Sequence, residues 1–78
     1  MFYTYVLKSQ KDNDLYIGST IDLKRRLAEH QNGQVESTRF RRPIVLVYYE
    51  ACLDMKKSVN RERYFKTGFG RRFLKARI

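Results

Sequence analysis

The sequence has little cysteine and no long hydrophobic run. Because a single cysteine cannot form an internal disulfide, we expect Cys52 to be a reduced thiol. A reduced thiol is typical of a cytoplasmic protein, so we expect that location. The longest apolar stretch, Ile44 to Leu53, contains Glu50 and is too short to span a bilayer. The first residues lack a basic segment followed by an apolar core, so no signal peptide is expected.

Acidic residues are also scarce. Eight Asp and Glu stand against 17 Lys and Arg, which gives a net charge of +9. Such a balance favours a polyanionic partner, most often nucleic acid. No segment forms a basic amphipathic helix with a bulky apolar face, so a membrane is not expected as the partner. The 78 residues predict one small domain over residues 1–78.

The hydrophobic pattern predicts the secondary structure in order. Strands from Phe2 to Lys8 and from Leu15 to Gly18 form a hairpin across a polar turn. A helix follows from about Ile21 to Gln31, with Ser19 and Thr20 as N-cap candidates. The β-branched run from Ile44 to Tyr49 predicts a central strand covered on both faces.

Two further helices complete the predicted fold. The first runs from about Met55 to Thr67 and is closed by Gly68, and the last runs from Arg71 to Ile78. The order β-β-α-β-α-α predicts an α/β fold, in which a small three-stranded, mainly antiparallel sheet is flanked by helices.

One candidate site combines the hairpin with the helix after it. Tyr5 and Tyr16 lie on neighbouring predicted strands, while Arg26 and His30 are one turn apart on the helix. Together they could hold a phosphate. The alternative is purely structural: cross-strand packing of the rings, and an i,i+4 pair between Arg26 and Asp22.

Glu62 is the second candidate. It lies three residues from both Val59 and Phe65, so it borders the core, and it is the last acid in a strongly basic tail. A carboxylate in such surroundings should stay ionised. The alternative is a simple i,i+4 pair with Lys66.

The loop from Gln34 to Pro43 is basic and carries Phe40 among its arginines. This combination suits phosphate contact plus base stacking, although Phe40 could equally pack onto the core. The residues expected to contact nucleic acid are Ser19, Arg39, Arg41, Arg42, Lys66, Arg71 and Arg72.

Taken together, these residues resemble a known family. Tyr16-Ile17-Gly18, followed by Arg26 and His30, resembles the second half of the GIY-YIG nuclease motif. Tyr3-Thr4-Tyr5 stands at the first half, with Tyr5 matching the tyrosine and Tyr3 replacing the first glycine. The order of elements also resembles that of the GIY-YIG domain over nearly the whole chain. The chain resembles the small single-domain bacterial members of this family and the N-terminal nuclease domain of the excinuclease C subunit.

The resemblance implies a metal-dependent endonuclease that hydrolyses phosphodiester bonds, in DNA rather than RNA, with DNA repair as a setting. Glu62 would hold one Mg²⁺ or Mn²⁺, and Arg26 would contact the scissile phosphate. Tyr5 or Tyr16 would assist the attacking water, and His30 would bridge a phenol and the phosphate or relay a proton. The asparagine that many members carry near the C-terminus has no counterpart after Glu62. A binding module that cuts nothing is the alternative, as is a domain that docks onto a partner.

Overall fold

A computed structural model describes residues 1–78. The predicted order β-β-α-β-α-α is confirmed, with a short 3-10 turn at Arg39–Arg41 in the loop before the third strand. The elements are β1 (Phe2–Ser9), β2 (Leu15–Thr20), α1 (Leu23–Gln31), β3 (Ile44–Cys52), α2 (Met55–Phe65) and α3 (Gly68–Lys75). None of the helices combines the length and apolarity needed to cross a bilayer.

The three strands form one antiparallel sheet in the order β2-β1-β3. β1 is the central strand, and its residues from Thr4 to Leu7 are all buried. The prediction that β3 is central was therefore wrong. β3 is an edge strand that helices contact on both faces, and most of its apolar residues are only partly buried.

The core has two parts, one on each face of the sheet. Val6 packs with Phe65 of α2 and Leu74 of α3, so these two helices cover one face. Tyr5 packs with Leu27 of α1 on the other face. Successive residues of a strand point to opposite faces of the sheet, so the adjacent Tyr5 and Val6 belong to different parts of the core.

Two helix boundaries differ from the prediction. β2 continues through Ser19 and Thr20, and Asp22 caps α1 instead by accepting a hydrogen bond from the Arg25 amide. Gly68 begins α3, which Thr67 caps by accepting from the Gly70 amide. In both places the residue directly before the helix supplies the N-cap.

Candidate active site

The phenol of Tyr5 lies directly over Gly18 of the neighbouring strand. The two residues are paired between β1 and β2. A Cβ atom added to Gly18 would lie 2.5 Å from the Tyr5 hydroxyl and 2.6 Å from Cζ. Because only glycine leaves that space free, the phenol extends across β2 toward the open edge of the sheet.

A buried chain of hydrogen bonds begins at this phenol. The Tyr5 hydroxyl is 2.9 Å from Nε2 of His30, and Nδ1 of His30 is 2.7 Å from the Thr38 hydroxyl. Tyr5 is 2% exposed, and His30 and Thr38 are fully enclosed. In one neutral tautomer Tyr5 donates to the ring and the ring donates to Thr38, and in the other both directions reverse.

The enclosure of His30 sets its protonation state. Burial, helped by the positive charge of Arg26, lowers the pKa of His30 to about 4 against a smaller opposing effect of Glu29. The imidazole is therefore neutral at physiological pH. The unprotonated Nε2 can accept a hydrogen bond from the phenol, although a pKa of about 4 makes His30 a weak base.

Tyr5 keeps its proton in the same environment. Burial raises the pKa of the Tyr5 phenol, helped by the neighbouring Tyr16, and the nearby Arg26 guanidinium lowers it by less. The charge of Glu62 adds a small upward effect. Arg26 on α1 and Glu62 on α2 are thus both near enough to act on one hydroxyl, from opposite faces of the sheet.

Tyr16 and Arg26 lie beside this chain. The Tyr16 ring centroid is 5.1 Å from that of His30 and 6.5 Å from that of Tyr5, so three rings cluster on one face. Arg26 donates from Nη1 to the Glu29 carboxylate at 3.0 Å. The alternative pairing of Arg26 with Asp22 is absent, because the Asp22 carboxylate caps the helix.

Glu62 approaches the same edge from the other side. One carboxylate oxygen accepts a hydrogen bond of 2.8 Å from the Ser19 hydroxyl, and the other pairs with Lys66 at 3.0 Å. The pair with Lys66 is therefore present, but it does not turn Glu62 away from the sheet. Because Ser19 follows Gly18, the Glu62 carboxylate and the Tyr5 phenol contact adjacent residues of β2.

The donor set around Glu62 fits a hard divalent cation that keeps much of its water. No group of three or more His, Cys, Asp or Glu side chains is arranged to hold a metal. A lone carboxylate nevertheless suits Mg²⁺, which is commonly bound by one or two carboxylates with waters and substrate phosphates. Lys66, the cation paired with Glu62, has an exposed side chain that can move aside.

Several of the residues expected to bind nucleic acid contact other groups of the protein instead. Arg41 lies between Asp12 at 3.8 Å and Asp14 at 3.6 Å, which fastens the loop to the β1–β2 turn. Arg42 donates to the Arg39 carbonyl and packs over Gly33. Ser19 positions Glu62, and Lys66 neutralises it. The remaining members of the set are exposed to solvent: Arg39, Arg71 and Arg72.

Thr38 is the site residue that the sequence did not reveal. It lies eight residues after His30, beyond Gly33, whose positive φ of 77° redirects the chain after α1. Neither helical nor strand spacing links Thr38 to His30. A threonine in a polar loop gives no local signal that its hydroxyl is buried.

Comparison with known proteins places this geometry in context. The family model for the GIY-YIG catalytic domain matches residues 1–75. The chain is 41% identical over 66 residues to the UPF0213 protein of Staphylococcus haemolyticus, which covers 83% of this chain and 79% of that protein. It is 43% identical over 65 residues to a UPF0213 protein of Streptococcus pyogenes, covering 82% and 70%.

A solved structure agrees with the sequence comparisons. The solution NMR structure of a UPF0213 protein from Bacillus halodurans matches with a TM-score of 0.60 and 29% identity. The match covers 97% of this chain and 84% of that one. The similarity therefore extends over both faces of the sheet, including the elements that carry the candidate site.

Proposed function

The chain belongs to the GIY-YIG family, whose catalytic domain is of the nuclease type. We therefore propose that it is a metal-dependent endonuclease that hydrolyses phosphodiester bonds. The observation that carries the proposal is the meeting of two groups at one strand edge. The Tyr5 phenol lies over Gly18, and the Glu62 carboxylate is held by the next residue, Ser19. We infer that a phosphate at this edge can lie near both groups, because the charge of Glu62 acts on the Tyr5 hydroxyl from the opposite face of the sheet.

Tyr5 and His30 form the proton-accepting pair of the proposed reaction. As the water oxygen forms its bond to phosphorus, the water proton passes to the Tyr5 oxygen. The phenol proton passes in turn to Nε2 of His30, in the tautomer whose Nδ1–H donates to Thr38. The 2.9 Å contact with the phenol supports this route, and the low pKa of His30 means that the ring relays the proton onward instead of holding it.

The choice of Tyr5 over Tyr16 follows from its partner. Tyr5 has a neutral base in hydrogen-bond contact, whereas Tyr16 contacts the His30 ring through its own ring. A phenol with a raised pKa needs such a partner in order to accept a proton at neutral pH. We assign Tyr16 to shaping the pocket around the imidazole.

Charge stabilisation is assigned to Arg26 and Glu62. The guanidinium of Arg26 is partly exposed and suits two phosphoryl oxygens at once. Glu62 would hold one Mg²⁺ or Mn²⁺, with waters and a phosphate oxygen filling its other positions. When bound, the cation would neutralise charge on the phosphate and on the leaving oxygen. The leaving oxygen takes its proton from solvent.

DNA is the proposed substrate in preference to RNA. The net charge of +9 supports a polyanion of either kind. The preference for DNA follows the similarity to the nuclease domain of the excinuclease C subunit. The same reasoning gives DNA repair in the cytoplasm as the proposed setting.

The second candidate is a module that binds nucleic acid without cutting it. It is favoured by the missing asparagine and by Tyr3, which replaces the family's first glycine. Tyr3 packs against Tyr49 with ring centroids 6.3 Å apart, and it pairs with Thr20 rather than with Gly18. The substitution therefore leaves the space over Gly18 to Tyr5.

A cleavage assay separates the two candidates. Labelled single-stranded, duplex and branched DNA, and RNA, are incubated with wild type and Mg²⁺ or Mn²⁺, with a chelator as control. We expect metal-dependent products from DNA. Arg26→Ala should lower cleavage about a hundredfold, while Arg25→Ala removes the same charge from an exposed neighbour and should have little effect. No product on any substrate would favour the binding module.

A further inference from the structure

We propose that the exposed ring of Phe40 is a stacking site for an unpaired nucleobase of the substrate. The proposal rests on the proposed nuclease function and adds a substrate class to it: nucleic acid with unpaired bases next to the cleaved bond. Phe40 is 73% exposed, so it is not the core residue that the sequence allowed as an alternative. An aromatic face open to solvent is what base stacking requires.

The main chain around Phe40 is firmly held. The Arg41 carbonyl accepts a 2.6 Å hydrogen bond from the buried Ser9, and the Phe40 carbonyl accepts from Lys11 at 3.2 Å. On the other side, Thr38 is fixed by its bond to His30. The ring is thus presented on a braced 3-10 turn, so little conformational entropy is lost when a base stacks on it.

The charge around the ring suits the phosphates that flank any base. The Arg39 guanidinium lies over one face of the Phe40 ring, 4.7 Å from its centroid, and the exposed ring offers its other face to a base. Arg42 is exposed nearby in sequence. Arg41 is held between Asp12 and Asp14, and it therefore adds less to the positive field. An aromatic ring beside exposed arginine side chains is typical of sites that bind single-stranded nucleic acid.

The position of the ring relates it to the proposed chemistry. Only Arg39 separates Phe40 from Thr38, so the Cα atoms of Phe40 and Thr38 are at most about 7 Å apart. Thr38 contacts His30, which contacts the Tyr5 phenol. At about 3.4 Å per nucleotide along a stacked strand, the bound base would lie within a few nucleotides of the cleaved phosphate.

A base within an intact duplex cannot use this site, because both of its faces are stacked on neighbours. Bases in flaps, gaps, frayed ends and single strands have a free face. Phe40 would therefore favour such structures without reading their sequence. Phe40 would thus let a small domain select nucleic acids by their structure.

Phe69 provides an internal comparison. It is 71% exposed, and the Arg72 guanidinium lies 5.5 Å from its ring centroid. However, Phe69 belongs to α3, which covers the sheet face opposite to that of Tyr5 and His30. Phe69→Ala removes an equally exposed ring from the other side of the sheet, which makes it the control for Phe40→Ala.

The test measures binding without cleavage. Affinities of wild type, Phe40→Ala, Phe40→Leu and Phe69→Ala are measured in chelator for a perfect duplex and for the same duplex with a single-stranded flap. Phe40→Ala and Phe40→Leu should each lose about tenfold on the flap and nothing on the duplex, since stacking on an aromatic ring contributes this much per base. Phe69→Ala should match wild type on both substrates.

The outcomes separate this inference from the proposed function. Equal losses on flap and duplex, no loss on either, or full affinity in Phe40→Leu would each overturn the stacking site. If wild type binds the flap and cuts it with metal while Phe40→Ala behaves identically, only the stacking site fails. If wild type binds neither nucleic acid, both the stacking site and the nuclease function fail.

Discussion

The Tyr5 hydroxyl and the His30 imidazole are in hydrogen-bond contact at 2.9 Å inside the protein, joining β1 to α1. His30 is fully enclosed, so its ring has no solvent as a substitute partner. Losing one partner would leave the other unsatisfied at a cost of about 1–3 kcal/mol. The contact thus links the stability of the fold to the geometry of the proposed reaction.

The first prediction concerns the titration of His30. Because it is the only histidine, its ring resonances can be followed by NMR without mutagenesis. Its pKa is lowered from 6.5 to about 4 mainly by burial, so we expect no charging between pH 8 and about 5. A midpoint near 6.5 would show that the ring is accessible to solvent and would contradict its burial beside Tyr5.

The same shift predicts how stability depends on pH. Between pH 6.5 and about 4 the unfolded chain binds a proton at His30 that the folded chain does not. Stability should therefore fall as the pH is lowered through this window, by about 2–3 kcal/mol in total. Urea unfolding at several pH values should show a shallower decline for His30→Gln than for wild type. Parallel curves would contradict the prediction.

The second prediction uses the close approach at Gly18. In Gly18→Ala the new methyl group would occupy the space of the Tyr5 hydroxyl, so the phenol must move. We expect cleavage to fall by about tenfold to a hundredfold, since small misplacements of reacting groups are costly. Gly68→Ala is the control, because its Cβ would meet no atom within 4 Å. Equal activity of the two variants would show that Tyr5 is not placed by this contact.

The third prediction concerns Thr38. Thr38→Val keeps the shape but leaves Nδ1 of His30 unpaired, which should cost about 1–3 kcal/mol of stability. It should also shift the tautomer balance of His30, seen in its ring nitrogen NMR shifts. Thr38→Ser retains the hydroxyl and should restore both properties. If Thr38→Val leaves the tautomer balance unchanged, Thr38 does not orient the imidazole.

Much of this architecture could be predicted from the sequence, because it follows from the local spacing of apolar and polar residues. The hairpin, the helix of Arg26 and His30, and the placement of Glu62 beside the core all follow from periodicity. The order of strands does not. β3 has the pattern of a central strand although it is an edge strand, and helices contact both of its faces without burying most of its residues.

Long-range contacts were the other limit of prediction. The bonds of Thr38 to His30 and of Ser19 to Glu62 join residues that no repeat period relates. The pKa of Tyr5 shows the same limit. The Arg26 cation lowers this pKa, but burial raises it more, and burial depends on the assembled fold.

The most direct test of the nuclease proposal compares Glu62→Gln with Glu36→Gln, an equal change of charge at an exposed loop residue. Each variant and wild type are assayed for DNA binding in chelator and for cleavage in Mg²⁺ or Mn²⁺. Because Glu62 is the proposed cation ligand and is not needed to hold a polyanion, Glu62→Gln should bind as tightly as wild type or more tightly. Its cleavage should fall by about a hundredfold or more, while Glu36→Gln cleaves normally. Cleavage by Glu62→Gln at the wild-type rate would contradict the assignment of the cation site.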